Sequence, residues 1–210
     1  MKKDKTHIVT VLDRSGSMYS IREAMIKSLQ ELVEEQKQLK KECTFSLYRF
    51  SSTTELFMDF IDLETVEIDN NTLKPSGNTA LLDCLGIAIN ETGERLLKLS
   101  EEERPEKVIF VVITDGEENS STTFDDQQIK NMIEHQSEVY KWQFLFLAAN
   151  QDAVKTGTNL GIQAQSCLNY EATSVGTSES IRVASASLTN YRTGKTNQTS
   201  FVNNPKTSKL

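Results

Sequence analysis

Apolar positions along the chain come in blocks whose spacing switches between continuous runs and a repeat of three and four. Ile8-Val9-Thr10-Val11-Leu12 is a short β-branched run that stops at Asp13-Arg14-Ser15-Gly16-Ser17, a turn-forming composition, which predicts a buried strand ending in a loop. Met18, Ile21, Met25, Leu29, Leu32, Val33 and Leu39 then recur at helical spacing with Glu and Lys between them, predicting a long amphipathic helix. Residues 44–50 and 54–60 alternate polar and apolar on either side of Ser51-Ser52, the pattern of an antiparallel hairpin. Residues 62–74 read as a loop or short helix, and Leu81, Leu82, Leu85, Ala88, Ile89, Thr92 and Leu96 predict a second helix.

Val108 to Ile113 is the most hydrophobic run and suits a central strand covered on both faces; it ends at Thr114-Asp115-Gly116-Glu117-Glu118-Asn119. A helix carrying Ile129, Met132, Ile133 and Tyr140 follows, then a strand over 142–149, a short helix over 152–160 and a weaker strand over 163–170. The last helix places Ile181, Ala184, Leu188 and Tyr191 on one face. Strands alternating with helices imply parallel pairing through right-handed crossovers. The expected fold is therefore α/β: a doubly wound, mostly parallel sheet with one antiparallel edge strand and helices on both faces. In such sheets ligands bind at the carboxyl ends of the strands, beside the point where strand order reverses. Residues 1–191 are expected to form the domain and 192–210, rich in Thr, Asn, Ser and Lys, a polar flexible tail.

Composition narrows the function. The 210 residues carry 23 Lys+Arg against 30 Asp+Glu, a net charge of −7, and the basic residues are scattered, which argues against nucleic acid as a partner. Cys43, Cys84 and Cys167 lie far apart in apolar runs with no His nearby, so they predict small core residues and neither a zinc site nor a disulfide framework. The run at 8–12 is too short for a signal-peptide core, and no apolar stretch approaches the roughly 20 residues that span a bilayer. A reducing cytoplasmic location with no membrane contact is the expectation.

Both principal strand ends present an Asp, Asp13 and Asp115. The first loop adds Ser15 and Ser17, with Gly16 between them allowing a tight turn, and Thr79 follows Gly77-Asn78 just before the second helix. Two carboxylates and three hydroxyls are hard oxygen donors, suited to Mg²⁺ or Mn²⁺. Singly, these residues also suit an Asx turn and helix caps, and Asp83 reads as a capping residue. Glu117 and Glu118 read as a solvated loop, with Glu118 the one that could tune a site. His7 and His135 lack partners at recognisable spacing and read as structural.

Together, Asp13-x-Ser15-x-Ser17, Thr79 in a Gly-Asn-Thr loop and Asp115-Gly116 resemble the metal-ion-dependent adhesion site of von Willebrand factor A domains, over roughly residues 7–191, in the style of the compact bacterial and viral members. The resemblance implies a Rossmann-like fold. It implies direct coordination of Mg²⁺ (Mn²⁺ or Ca²⁺ being the other candidates) by Ser15, Ser17 and Thr79, with Asp13 and Asp115 acting partly through water. An Asp or Glu of a partner protein would complete the coordination, making the chain a non-enzymatic interaction module. The rival is a Mg²⁺-dependent phosphoryl-transfer or hydrolytic enzyme on a similar sheet. Against it, the second acid that haloacid-dehalogenase-type phosphatases need is replaced by Ser15, and Ser17 lacks a nucleophile elbow.

Overall fold

The computed structural model describes residues 1–201. Its strands are β1 (Lys2–Asp13), β2 (Cys43–Phe50), β3 (Thr54–Asp62), β4 (Pro105–Thr114), β5 (Gln143–Ala149) and β6 (Cys167–Tyr170). Its helices are α1 (Arg22–Lys37), α2 (Leu81–Lys98), α3 (Asp126–Tyr140), α4 (Ala153–Asn159) and α5 (Ser174–Arg192). One sheet runs in the order β3-β2-β1-β4-β5-β6, and every neighbouring pair is parallel except the β2–β3 hairpin. The expected α/β sheet with a single antiparallel edge strand is the one observed.

Alternation along each strand divides the core. Ile8 and Leu12 of β1, Phe45 and Leu47 of β2, and Ile109, Val111 and Ile113 of β4 face α1 and α5. Val9 and Val11, Phe110 and Val112, and Phe144 and Phe146 of β5 face α2 and α3. Both faces are covered, which is why the strands read as unbroken apolar runs.

Several boundaries differ from the sequence reading. β1 starts at Lys2, well before the apolar run, because Lys2 pairs with Pro105 across an irregularity that ends at Thr6. Met18 and Ile21 are buried in a 3-10 segment, Gly16–Ile21, so α1 begins only at Arg22, and Leu39 lies past its end. The weak strand shortens to Cys167–Tyr170 after a 3-10 turn over Ala164–Ser166. Beside it α4 packs closely: a Cβ on Gly157 would stand 2.4 Å from the Cys167 sulfur, so no larger residue fits.

Residues 192–201, expected to begin a flexible tail, are held against the domain, Arg192 as the buried last residue of α5. Thr199 N donates to Gln143 Oε1 (2.9 Å), Ser166 Oγ to Thr199 O (2.9 Å) and Phe201 N to Gln165 O (2.8 Å), and the Phe201 ring is buried. The rest of that expected tail, 202–210, lies outside the described residues. Among the described residues no helix is long and apolar enough to cross a membrane.

Candidate metal centre

Sheet order reverses at β1, which has β2 on one side and β4 on the other, so the loops after β1 and β4 emerge together at the carboxyl edge. The register pairs Leu12 with Ile113, which brings the following residues, Asp13 and Thr114, together; Thr114 Oγ1 donates to Asp13 Oδ2 at 2.6 Å. Ser15 N donates to the other Asp13 oxygen, Oδ1, at 2.6 Å, an Asx turn that locks the carboxylate in place. Ser15 makes no side-chain cap to the helical segment it precedes. Its hydroxyl instead lies 3.0 Å from Ser17 Oγ, and Ser17 Oγ donates to Asp115 Oδ1 at 2.6 Å.

Thr79 arrives from a third loop that is tied to the other two. Gly16 N donates to Gly77 O (3.1 Å) and Ser76 N to Arg14 O (2.7 Å). Gly77 has φ +75°, and a Cβ there would meet Ser52 Oγ at 2.9 Å, so this crossing requires glycine. Thr79 and Asn119 bridge reciprocally: Thr79 N donates to Asn119 Oδ1 and Asn119 N to Thr79 O, both at 3.0 Å. Thr79 does not cap α2, whose N-cap is Ala80. Its hydroxyl faces Gly116, as does that of Ser17: a Cβ on Gly116 would lie 3.6 Å from Thr79 Oγ1 and 3.7 Å from Ser17 Oγ. All five predicted donors thus meet at one place.

Asp13, Asp115, Ser15 and Thr79 are buried, and Ser17 is exposed at the mouth. Burial raises the Asp13 pKa above its ordinary value, against the hydrogen bonds from Thr114 and Ser15. Burial likewise pushes Asp115 up to about 6, with the Ser17 hydrogen bond opposing and the Asp13 charge adding to the rise. Neither carboxylate enters an ion pair among the described residues. The same residues contain no group of three or more His, Cys, Asp or Glu able to hold a metal, so any cation here depends on the hydroxyls. Two buried carboxylates beside three neutral oxygen donors, with no protein cation between them, fit a small hard divalent ion.

Two acids expected to cap or be solvated have other work. Asp83 accepts from Thr122 N, Thr123 N and Phe124 N at 2.8–2.9 Å, clamping the loop after β4 instead of capping its own helix. Glu118 accepts from Leu82 N (3.0 Å), closing the start of α2, and from Ser120 N and Ser121 N (2.8 and 2.7 Å). Further supporting residues carry no local sequence signal. Asn150, at φ +58°, donates Nδ2 to Asp115 O, and Gln151 Nε2 donates to Gly116 O, both at 2.8 Å, while Tyr170 OH donates to Thr114 O at 3.1 Å. His7, six residues before Asp13 in β1, lies 2.9 Å from Thr44 Oγ1 and packs at a tilt against Phe60; burial pushes its pKa down to about 3. His135 packs on Tyr140, and the three cysteines are buried and unbridged.

The family model of the von Willebrand factor type A domain matches residues 7–182. No curated protein matches the chain. Among solved structures, the chain is similar to the PilB minor pilin from Streptococcus sanguinis (TM-score 0.63, 10% identity, 96% of this chain and 63% of that one). It is similar also to proximal thread matrix protein 1 from the mussel byssus (0.58, 15%, 86% and 45%) and to a von Willebrand factor type A protein from Catenulispora acidiphila (0.56, 15%, 87% and 42%). The chain spans less than two thirds of the length of each, and at such identities the likeness carries the fold alone.

Proposed function

The chain belongs to the von Willebrand factor type A domain family, and from that premise we propose that it is a metal-dependent interaction module that docks an Asp or Glu of a partner protein. Domains of this family generally serve as protein-interaction modules. The observation that carries the finer reading is the convergence of Asp13, Ser15, Ser17, Thr79 and Asp115, from three loops, around buried carboxylates with no ion-pair partner among the described residues.

Ser15, Ser17 and Thr79 would hold Mg²⁺, or Mn²⁺ or Ca²⁺, through neutral hydroxyls. Asp13 and Asp115 would supply the negative charge, each already accepting a hydrogen bond, from Thr114 and Ser17 respectively. Because the hydroxyls add no charge, a bound ion keeps Lewis acidity for an external carboxylate. Exposed Ser17 marks the side from which that carboxylate arrives. Hydrogen bonds from Asn150 and Gln151 to the carbonyls of Asp115 and Gly116 keep the second loop fixed while it does.

Melting curves with added Mg²⁺ or Mn²⁺ test the site. At a metal concentration 100-fold above Kd, binding contributes about 2.7 kcal/mol, so the melting temperature of a chain this size should rise by roughly 5–10 °C. Asp13→Ala should abolish the rise. A wild-type curve unmoved by millimolar metal would overturn the reading.

A further inference from the structure

At the amino ends of the strands α2 and α3 finish side by side, over the starts of β4 and β5, and a groove of about 320 Å³ opens between them. Leu97 (75% exposed), Val139 (56%) and Tyr140 (57%) stand on it. The buried stripe of α2 closes with Leu96 and that of α3 with Ile133, so these three side chains are not part of the domain's own core. Single exposed apolar residues are ordinary, but a convergent set in a concavity marks an interaction site.

Two cations also line the groove. Arg104 donates to Leu96 O (2.8 Å) and Leu99 O (3.0 Å), closing α2, and Lys141, in the left-handed cap of α3, donates to Glu138 O (2.6 Å). Neither cation enters an ion pair among the described residues. Among the described residues Glu106 is the one carboxylate lining the groove. In a chain of net charge −7, this is an apolar concavity with a local excess of positive charge.

We infer that this groove docks an amphipathic acidic segment of a partner protein, its apolar side chains seated between Leu97 and Val139 and its carboxylates toward Arg104 and Lys141. The surface lies at the other end of the strands from the metal centre, so the domain can hold two partners at once. The inference stands independently of the metal.

A phage-displayed library of random peptides, panned on the full chain in EDTA, tests it. Enriched peptides should pair Leu, Ile, Phe or Trp with Asp or Glu and should bind the Leu97→Lys/Val139→Lys variant at least about tenfold more weakly. Lys141→Glu, which leaves the apolar wall intact, should weaken the same peptides about threefold or more, and high salt should do likewise. Both changed helix positions are solvent-exposed, and an unchanged melting temperature verifies the fold. No enrichment, enrichment of neutral or basic sequences, or equal binding to both variants would overturn the inference. So would a dimer, seen by sedimentation, that the double variant dissolves.

Discussion

Four acidic side chains surround the loops at the carboxyl edge of the sheet, bound in two different ways. Asp83 and Glu118 each accept from three backbone N–H groups, which fastens the loop after β4 to the start of α2. Burial raises the Asp83 pKa, but the three N–H groups outweigh it and hold the carboxyl below its ordinary value. Asp13 and Asp115 are buried more deeply, the Asp13 charge adds to the rise at Asp115, and both are shifted upward. Asp83 favours the fold as an anion, whereas burial disfavours the charges of Asp13 and Asp115. Carboxylates whose charge the fold disfavours are the ones that the proposed function assigns to an external cation.

Replacing one member of each pair should separate these roles. Asp83→Ala should destabilise the domain by about 1–3 kcal/mol, because loop N–H groups lose a charged acceptor, while the melting shift on adding Mg²⁺ persists. Asp13→Asn should behave oppositely. In EDTA its stability should match the wild type within about 1 kcal/mol, or exceed it, because the fold disfavours that charge, and the Mg²⁺ response should vanish. Chemical denaturation with and without metal measures both, and an equal loss of stability in the two variants would break the comparison.

pH sharpens it further. The Asp115 pKa is raised from 3.8 to about 6, so the native state binds more protons than the unfolded chain across that window. The stability associated with protonated Asp115 is therefore present below pH 4 and lost as pH rises through 6. Metal competes with those protons, so the Mg²⁺-induced rise in melting temperature should be larger at pH 7.5 than at pH 5.5; an equal rise at both would exclude Asp115 from the site. Asp83 has the opposite sign, contributing stability above its unfolded pKa that is lost on acidification.

The smallest effect is expected at Gly116. A Cβ there fits at ordinary contact distance, 3.6 and 3.7 Å, but fills space facing the hydroxyls of Thr79 and Ser17. Gly116→Ala should leave melting in EDTA unchanged and weaken the Mg²⁺ response, as calorimetric titration would measure.

Elements with strong periodicity were legible. The continuous run at 108–113 is the central strand β4, and the alternation around Ser51-Ser52 is the β2–β3 hairpin. The candidate donors were legible as well, because each follows a strand or precedes a helix that local pattern identifies. Their supports were not: Asn119, Asn150 and Glu118 act on residues 35 to 40 positions away, and no local pattern encodes such a separation. The same holds for Arg192, which was expected to open the polar tail yet ends α5 and is fully buried, donating to Gln36 O and Oε1 at 3.0 Å.

By itself the sequence determined the order of elements, the family and the kinds of donor atom, since periodicity and loop composition are local properties. Only the tertiary structure decided that Ser15 and Thr79 turn toward a shared centre instead of capping helices, and that Asp83 and Glu118 serve the loop. It also decided that three exposed apolar side chains share one groove. Each of those outcomes depends on which strand lies beside which, and that is set by burying both faces of the sheet at once.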